Sequence, residues 1–214
     1  FGNDQVEGPG VRTPGFWSNW TEYWNGDRTD DPSQVGPGDD DANCDFAEHD
    51  VLTLDPDGPI NGLLVGDYNQ NGVTDGGETT RFYFLEDAHK YIDASQKEIS
   101  QNAKFMLERD VVATWLNFLA GNDIDTDGNP ATAPDAGSPE YWLDAAIDWL
   151  GDTGTVVKAN SAAWQVGVDL DDNGSIDTPS GSAIHGALDE YNNTGWINGV
   201  QYAADPDCSA DWVL

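Results

Sequence analysis

The chain is short of positive charge: it has only 8 Lys and Arg residues against 40 Asp and Glu residues, which gives a formal net charge of −32. The basic residues stand singly along the sequence, so no basic patch is available to bind nucleic acid or an anionic membrane surface. Apolar runs are also short, and none approaches the ~20 residues that a membrane-spanning helix needs. These shortages exclude nucleic acid as a partner and predict no membrane span.

Cysteine and histidine are scarce as well, with two and three residues. Cys44 and Cys208 lie in acidic, loop-like segments, and the preferred interpretation is a disulfide between them, with two free thiols as the alternative. The histidines are too dispersed for an HExxH-type zinc site, and the motifs GxSxG, GxxxxGK[ST] and GxGxxG are absent. We therefore predict no enzyme. The histidines are His49, His89 and His185, the last of which stands four residues before Asp189 on a predicted helix.

What the chain has in abundance is aspartate, which supplies 31 of the 40 acidic residues. Because Asp favours turns, caps and metal loops over helix interiors, most of the charge belongs in loops. Such a composition is typical of proteins from salt-loving microbes and of multi-carboxylate cation sites. With Phe1 as first residue, we expect a processed, secreted chain that is extracellular or at the cell surface. Candidate N-glycosylation sites are Asn19, Asn173 and Asn192.

Helical periodicity and capping signals predict a mainly α fold, with α+β as the alternative: four to five helices around one core, long acidic loops and at most a small sheet. A single domain over 1–214 is expected, with an extended arm at 1–13. The strongest helix covers 96–120, opens with a Ser95/Glu98 capping box and ends at Gly121. Other predicted helices cover 14–26, 85–94, 138–151 and 182–193, and predicted strands cover 51–55, 80–84, 155–159 and 163–170.

The predicted helix over 14–26 has an unusually aromatic face. Phe16, Trp20, Tyr23 and Trp24 follow the i, i+4, i+7, i+8 spacing of one helical side. Three interpretations stay open: a core stripe, a platform on which sugar rings stack, and a contact between subunits.

The segment 67–78, DYNQNGVTDGGE, has the complete spacing of an EF-hand-type calcium loop. Such a loop needs oxygen ligands at positions 1, 3, 5, 7 (a backbone carbonyl), 9 and 12, and glycine at position 6 for the sharp turn. Gly72 stands at position 6. The ligand positions hold Asp67, Asn69, Asn71, Val73, Asp75 and Glu78. The spacing predicts a Ca²⁺ site.

A partial copy follows at 169–180, with Ser180 in place of the acidic residue at position 12. Asp189 or Glu190 would then have to complete the calcium site. Its predicted ligands are Asp169, Asp171, Asn173, the Ser175 carbonyl and Asp177. A third candidate breaks off at Pro130 and would need Asp135 to complete it; its ligands are Asp123, Asp125, Asp127 and the Asn129 carbonyl.

These three segments resemble the calcium loops of dockerins and related secreted calcium-binding repeats, and TPGFW at 13–17 resembles a segment of secreted microbial proteins. The resemblance implies ligand positions only. Dockerin loops form a close pair, whereas the two best loops here lie about a hundred residues apart, which argues against cohesin binding. Wide spacing favours calcium as an internal staple for loops that cannot fold alone.

The sequence therefore predicts a secreted or cell-surface structural protein, stabilised by calcium, that assembles with copies of itself into a filament or layer. The alternative is a calcium-dependent polysaccharide-binding module with exposed aromatic side chains. A calcium-stabilised hydrolase is the third hypothesis.

Overall fold

The computed structural model describes residues 10–19, 54–55, 58–59, 62–70, 72–125, 134–169 and 174–203. These residues form seven helices and three two-stranded antiparallel sheets. The architecture is mainly α as predicted, but the described part of the chain has seven helices where four to five were expected. The helices are α1 (Pro14–Asn19), α2 (Leu85–Ile92), α3 (Gln96–Gln101), α4 (Lys104–Leu119), α5 (Pro139–Asp152), α6 (Ala162–Gln165) and α7 (Gly181–Thr194). The strands are β1 (Leu54–Asp55), β2 (Gly58–Pro59), β3 (Gly62–Val65), β4 (Arg81–Phe84), β5 (Trp196–Ile197) and β6 (Val200–Gln201).

Local capping chemistry starts most of these helices. The side chains of Ser95, Ser138, Ser161 and Ser180 each accept a hydrogen bond from the backbone N–H three residues later. Such a bond satisfies one of the donors that a helix leaves without a partner at its first turn. At the other end of α7, Gly195 takes a left-handed conformation that stops the helix. The predicted capping box and the predicted starts of α5 and α7 are confirmed.

Helix α4 lies at the centre of the core and packs against α1, α2, α5 and α7. One cluster of buried apolar side chains extends from Val11 to Ala203, and its largest members are Trp17, Trp115, Trp149 and Trp164. Burying a side chain of this size contributes on the order of 3 kcal/mol to stability. No described helix is both long and apolar enough to cross a membrane.

The helix predicted over 96–120 is broken at Asn102. The side-chain Oδ1 of Asn102 accepts hydrogen bonds from the N–H groups of Lys104 (3.2 Å) and Val157 (2.9 Å), and its Nδ2 donates to the Thr155 carbonyl (3.0 Å). An Asn side chain that competes for backbone partners in this way disrupts a helix interior. The break therefore ties the start of α4 to the loop that follows α5.

The small sheets differ from the strand predictions. The strand expected over 80–84 is present as β4, which pairs with β3, but β3 itself was not predicted. Of the strand predicted over 51–55, only β1 is described. No strand forms over 155–159. Ser161 caps the short helix α6 where a strand was expected over 163–170, and a single bridge joins Val168 to Thr178.

The predicted arm is not wholly extended and polar. Val11 is fully buried, and the Arg12 N–H donates to Asn117 Oδ1 (2.6 Å), so the end of this segment docks on α4. In α1 the core residue is Trp17, outside the predicted aromatic face, while Phe16 packs partly buried against the core. Predicted features outside the described residues are residues 1–9, Trp20, Tyr23, Trp24, Cys44, Cys208 and His49.

Candidate calcium loops

The first loop leaves β3 and returns to β4, so a hairpin holds its two ends together. The loop's first side chain, Asp67, is buried, and its Oδ2 accepts a hydrogen bond from the Gly72 N–H (2.7 Å). Gly72 has a φ of 81°, the left-handed conformation that the sharp turn at position 6 requires. This bond folds the first half of the loop around one carboxylate oxygen.

Three further side chains of this loop converge on one point. The Asn69 Nδ2 donates to Asp75 Oδ2 (2.9 Å) and to Glu78 Oε1 (3.0 Å), and the Asp75 N–H donates to Glu78 Oε2 (2.9 Å). A half-turn of the Asn69 amide would present its oxygen to that point in place of its nitrogen. Positions 3, 9 and 12 of the predicted ligand set are thus adjacent, while Asn71 lies outside the described residues.

The second residue of the loop anchors it in the core. Tyr68 is buried, its ring lies against Trp115 (5.7 Å between centroids) and Phe118 (6.0 Å), and its hydroxyl donates to Asp144 Oδ1 of α5 (2.8 Å). Burial raises the pKa of Asp144 to about 6, against the lowering effect of the Tyr68 hydrogen bond. The negative charges of Asp148 and Glu78 raise it further. The predicted calcium ligand Glu78 and the core carboxylate Asp144 therefore influence each other.

The second loop has the same hydrogen bond as the first, from the N–H of the glycine at position 6 to the aspartate at position 1. The Gly174 N–H donates to Asp169 Oδ2 (2.6 Å), and Gly174 has a φ of 88°. Val168 and Thr178 close the neck of the loop by exchanging backbone hydrogen bonds, both of 3.1 Å. Asp171 and Asn173 lie outside the described residues, whereas Ser175 and Asp177 lie on the exposed side of the loop.

A glycine occupies the neck of each loop because the backbones there are too close for a side chain. A Cβ on Gly66 would lie 2.1 Å from the Thr79 carbonyl oxygen, and one on Gly167 would lie 2.6 Å from the Thr178 carbonyl oxygen. Both glycines also have positive φ angles. The two loops thus share the neck, the turn and the fastening hydrogen bond.

Position 12 of the second loop has a different role from that of the first. Ser180 is the N-cap of α7 and accepts from the Ala183 N–H (3.2 Å). The carboxylates proposed to replace it make bonds elsewhere: Asp189 Oδ1 accepts from Asn193 Nδ2 (3.1 Å), and Glu190 Oε2 accepts from the Asn198 N–H (3.1 Å) in the β5–β6 turn. The structure therefore gives no support to either as a ligand of this loop.

The third candidate is only partly described. Asp125 is buried, and its Oδ1 accepts from the Asp135 N–H (3.3 Å), so the two residues lie together across the undescribed stretch 126–133. Asp123 is exposed, and its carbonyl accepts from the Tyr191 hydroxyl (2.9 Å). Asp127 and Asn129 lie outside the described residues.

Within the described ranges, no group of three or more His, Cys, Asp and Glu side chains is placed to hold a metal ion. The predicted sets also draw on amide and carbonyl oxygens and on residues outside those ranges, and calcium binding stays a prediction.

Sequence reasoning missed a polar stripe on the buried side of α4, formed by Asp110, Thr114 and Asn117 at i, i+4 and i+7. All three contact the buried Asn192 of α7: its Oδ1 accepts from Thr114 Oγ1 (3.1 Å) and Asn117 Nδ2 (2.9 Å), and its Nδ2 donates to the Asp110 carbonyl (3.1 Å). The helical spacing of these residues was the available signal.

A glycan on the fully buried Asn192 nitrogen is incompatible with this packing, which corrects that sequon prediction. Asn19 is exposed.

The same stripe holds the partner of His185. Its Nδ1 lies 2.5 Å from the buried Asp110 Oδ2, whereas the sequence suggested Asp189. Burial raises the pKa of Asp110 to about 6. Burial lowers the pKa of His185, but the Asp110 hydrogen bond and charge outweigh it, so the pKa is raised overall. The pair links α4 to α7.

Comparisons with known proteins add nothing to this geometry: no family model matches the sequence, and no curated protein or solved structure is significantly similar to it.

Proposed function

We propose that the chain is a calcium-stabilised structural protein of the cell exterior that assembles with copies of itself. The observation that carries the proposal is the fastening shared by two loops far apart in the sequence, from Gly72 N–H to Asp67 and from Gly174 N–H to Asp169. In both loops this hydrogen bond holds the carboxylate of position 1 against the sharp turn at position 6. Both loops also have further oxygen-bearing residues at the spacing that calcium requires.

A structural role for the ion fits better than a sensory one. Calcium sensors work through helix pairs that open when the ion binds, whereas the first loop joins two strands and is held in the core by Tyr68. Without a cation, the carboxylates of a loop repel one another and disfavour its folded conformation. The free energy of calcium binding therefore adds to the free energy of folding. One site at a free calcium concentration of about 100 Kd adds about 2.7 kcal/mol.

The net charge makes self-assembly depend on the surrounding medium. A chain of net charge −32 repels its copies unless cations or salt screen that charge. A calcium-rich, saline exterior supplies both conditions, which makes assembly conditional on leaving the cell.

The test is thermal unfolding with excess calcium and with chelator, paired with isothermal titration. We expect a large fall in Tm on chelation and loss of one binding event in Asp67→Ala. Asp152→Asn, which neutralises an exposed carboxylate at the end of α5, is the matched control and should bind calcium as wild type does. An unchanged Tm on chelation would refute the calcium part of the proposal, and a chain that stays monomeric in calcium and salt would refute assembly.

A further inference from the structure

Two described helices have no side-chain cap bond at their N-cap residue, α2 at Phe84 and α4 at Ala103. Thr13 bonds the first turn of α1, Asn102 bonds that of α4, and serines cap α3, α5, α6 and α7. Helix α2 instead has Phe84 at its N-cap, with no side-chain cap bond. Ser, Thr, Asp and Asn are preferred at that position because their oxygens satisfy a helix N–H. Where a sequence breaks a local rule without a gain in packing, a functional reason is the first hypothesis.

Packing gives no reason for phenylalanine there, because 56% of Phe84 is exposed in the described structure. Phe82, at the same side of β4, is 39% exposed, and the two ring centroids lie 5.2 Å apart. Between them Tyr83 points the other way and is buried. The Phe82 ring lies over Gly62 of β3, where a Cβ would come within 2.3 Å of it. The outer side of this hairpin is therefore a small aromatic surface.

A groove of about 410 Å³ adjoins the aromatic surface and is lined by Phe84, Leu85, Glu86 and His89. Burial lowers the pKa of His89, so its imidazole is neutral at pH 7. Phe82, Phe84 and this groove are called the Phe84 face below.

The Phe84 face lies in a long stretch of the chain without net charge. Residues 81–109 contain five of the eight basic residues and five acidic residues, so the whole net charge of −32 is carried by the rest of the sequence. Two copies that approach through their Phe84 faces meet less repulsion than the net charge of −32 would otherwise impose, and they can bury four phenylalanine rings.

We propose that the Phe84 face is the contact surface for a second copy of this chain, face to face. This inference rests on the proposed self-assembly and names the surface that begins it. The two copies place their Phe84 rings against each other's grooves. Salt strengthens the contact because it screens the repulsion between the anionic remainders of the two chains.

The test uses Phe84→Ser, which removes the ring and supplies the missing cap. Sedimentation velocity of the full chain is measured in calcium at about 0.1 M and 2 M NaCl. We expect wild type to change from the 23.1 kDa monomer to a dimer as salt rises. The variant should dimerise at least tenfold more weakly and have a monomer Tm at or above that of wild type. Val156→Ser, which removes a 61% exposed apolar side chain elsewhere, is the matched control and should dimerise as wild type does.

Three outcomes would overturn the inference. Dimerisation that is equally strong in Phe84→Ser would overturn it and leave self-assembly through another surface standing. A monomer Tm that falls in Phe84→Ser would mean that the ring is covered by its own chain. A wild type that is monomeric at every salt concentration would overturn both this inference and the assembly proposal, while calcium stabilisation is judged separately by chelation.

Discussion

The loops at 67–78 and 169–180 have the same neck, the same left-handed glycine and the same fastening hydrogen bond, but they are attached to the fold in different ways. The first begins on a buried strand, sends Tyr68 into the core and ends on Glu78 before β4. The second crosses a single bridge and ends on Ser180, whose oxygen caps α7.

The twelve-residue spacing therefore determines the conformation of the turn in both loops. It does not determine which contacts the residue at position 12 makes. In the first loop position 12 is Glu78, which accepts hydrogen bonds from Asn69 and Asp75 within the loop, and in the second it is Ser180, which caps a helix. We therefore expect the first loop to bind calcium more tightly and to convert that binding into core stability.

The largest effect is expected from Glu78→Gln, which removes the bidentate ligand of the first loop while preserving its size. The calcium affinity of this loop should fall about 100-fold, equivalent to about 2.7 kcal/mol, as measured by isothermal titration. Ser180→Ala, at the matching position of the second loop, should leave both affinities unchanged. A comparable fall in both variants would contradict the difference drawn between the loops.

Tyr68→Phe comes next, because it tests whether the first loop is anchored through α5. The variant leaves Asp144 desolvated without its hydroxyl donor, which should lower the free energy of unfolding by about 1–3 kcal/mol in urea denaturation. Tyr141→Phe on the same helix α5 is the control and should change it by under ~0.5 kcal/mol. Equal effects of the two variants would argue against the anchor.

The pH dependence of the same contact follows from the raised pKa of Asp144. Because the folded pKa of about 6 lies above the ordinary 3.8, the native state binds this proton more tightly. The stability from this group is therefore present at low pH and lost as pH rises through about 6. In calcium-free buffer, the stability of wild type relative to Asp144→Asn should fall by about 2 kcal/mol between pH 4 and 7. A flat difference across that range would show that Asp144 has an ordinary pKa.

The smallest effect is expected from the cap of the second loop. Ser180→Ala should destabilise the fold by about 1 kcal/mol through the loss of the Ala183 N–H partner, with or without calcium. Thermal unfolding in chelator measures this loss. Ser100→Ala, at an exposed position near the end of α3, is the control. If Ser180→Ala lowers the stability only when calcium is present, Ser180 contributes to the ion site.

The parts of the fold that local chemistry dictates could be predicted from sequence. The Ser95/Glu98 capping box and the start of the helix predicted over 138–151 depend on residues within a few positions, and the structure confirms both. The parts that depend on distant partners could not. Asn102 breaks a helix because the N–H of Val157 and the carbonyl of Thr155 are there to meet its side chain.

In the candidate site, too, the local features could be predicted from sequence and the contacts with distant residues could not. The ligand spacing of 67–78 can be read directly, since an ion loop is a local motif. The Tyr68–Asp144 contact spans 76 residues and has no local signature. Asp110 is the clearest omission: its partner His185 is 75 residues away, and the nearer Asp189 offered a simpler pairing.

The polar stripe of α4 has a consequence for how the chain is made. Asp110, Thr114 and Asn117 depend on Asn192, and the Asp110 contact spans 82 residues. At a synthesis rate of about 5–20 residues per second, the ribosome needs ~4–16 s to reach Asn192 after it has made Asp110. Until then α4 has an apolar face interrupted by polar groups with no partner in α7 to satisfy them. The side of α4 that packs against α7 thus stays unburied until α7 has been made, whereas α1 and α2, which pack on other parts of α4, are made before it.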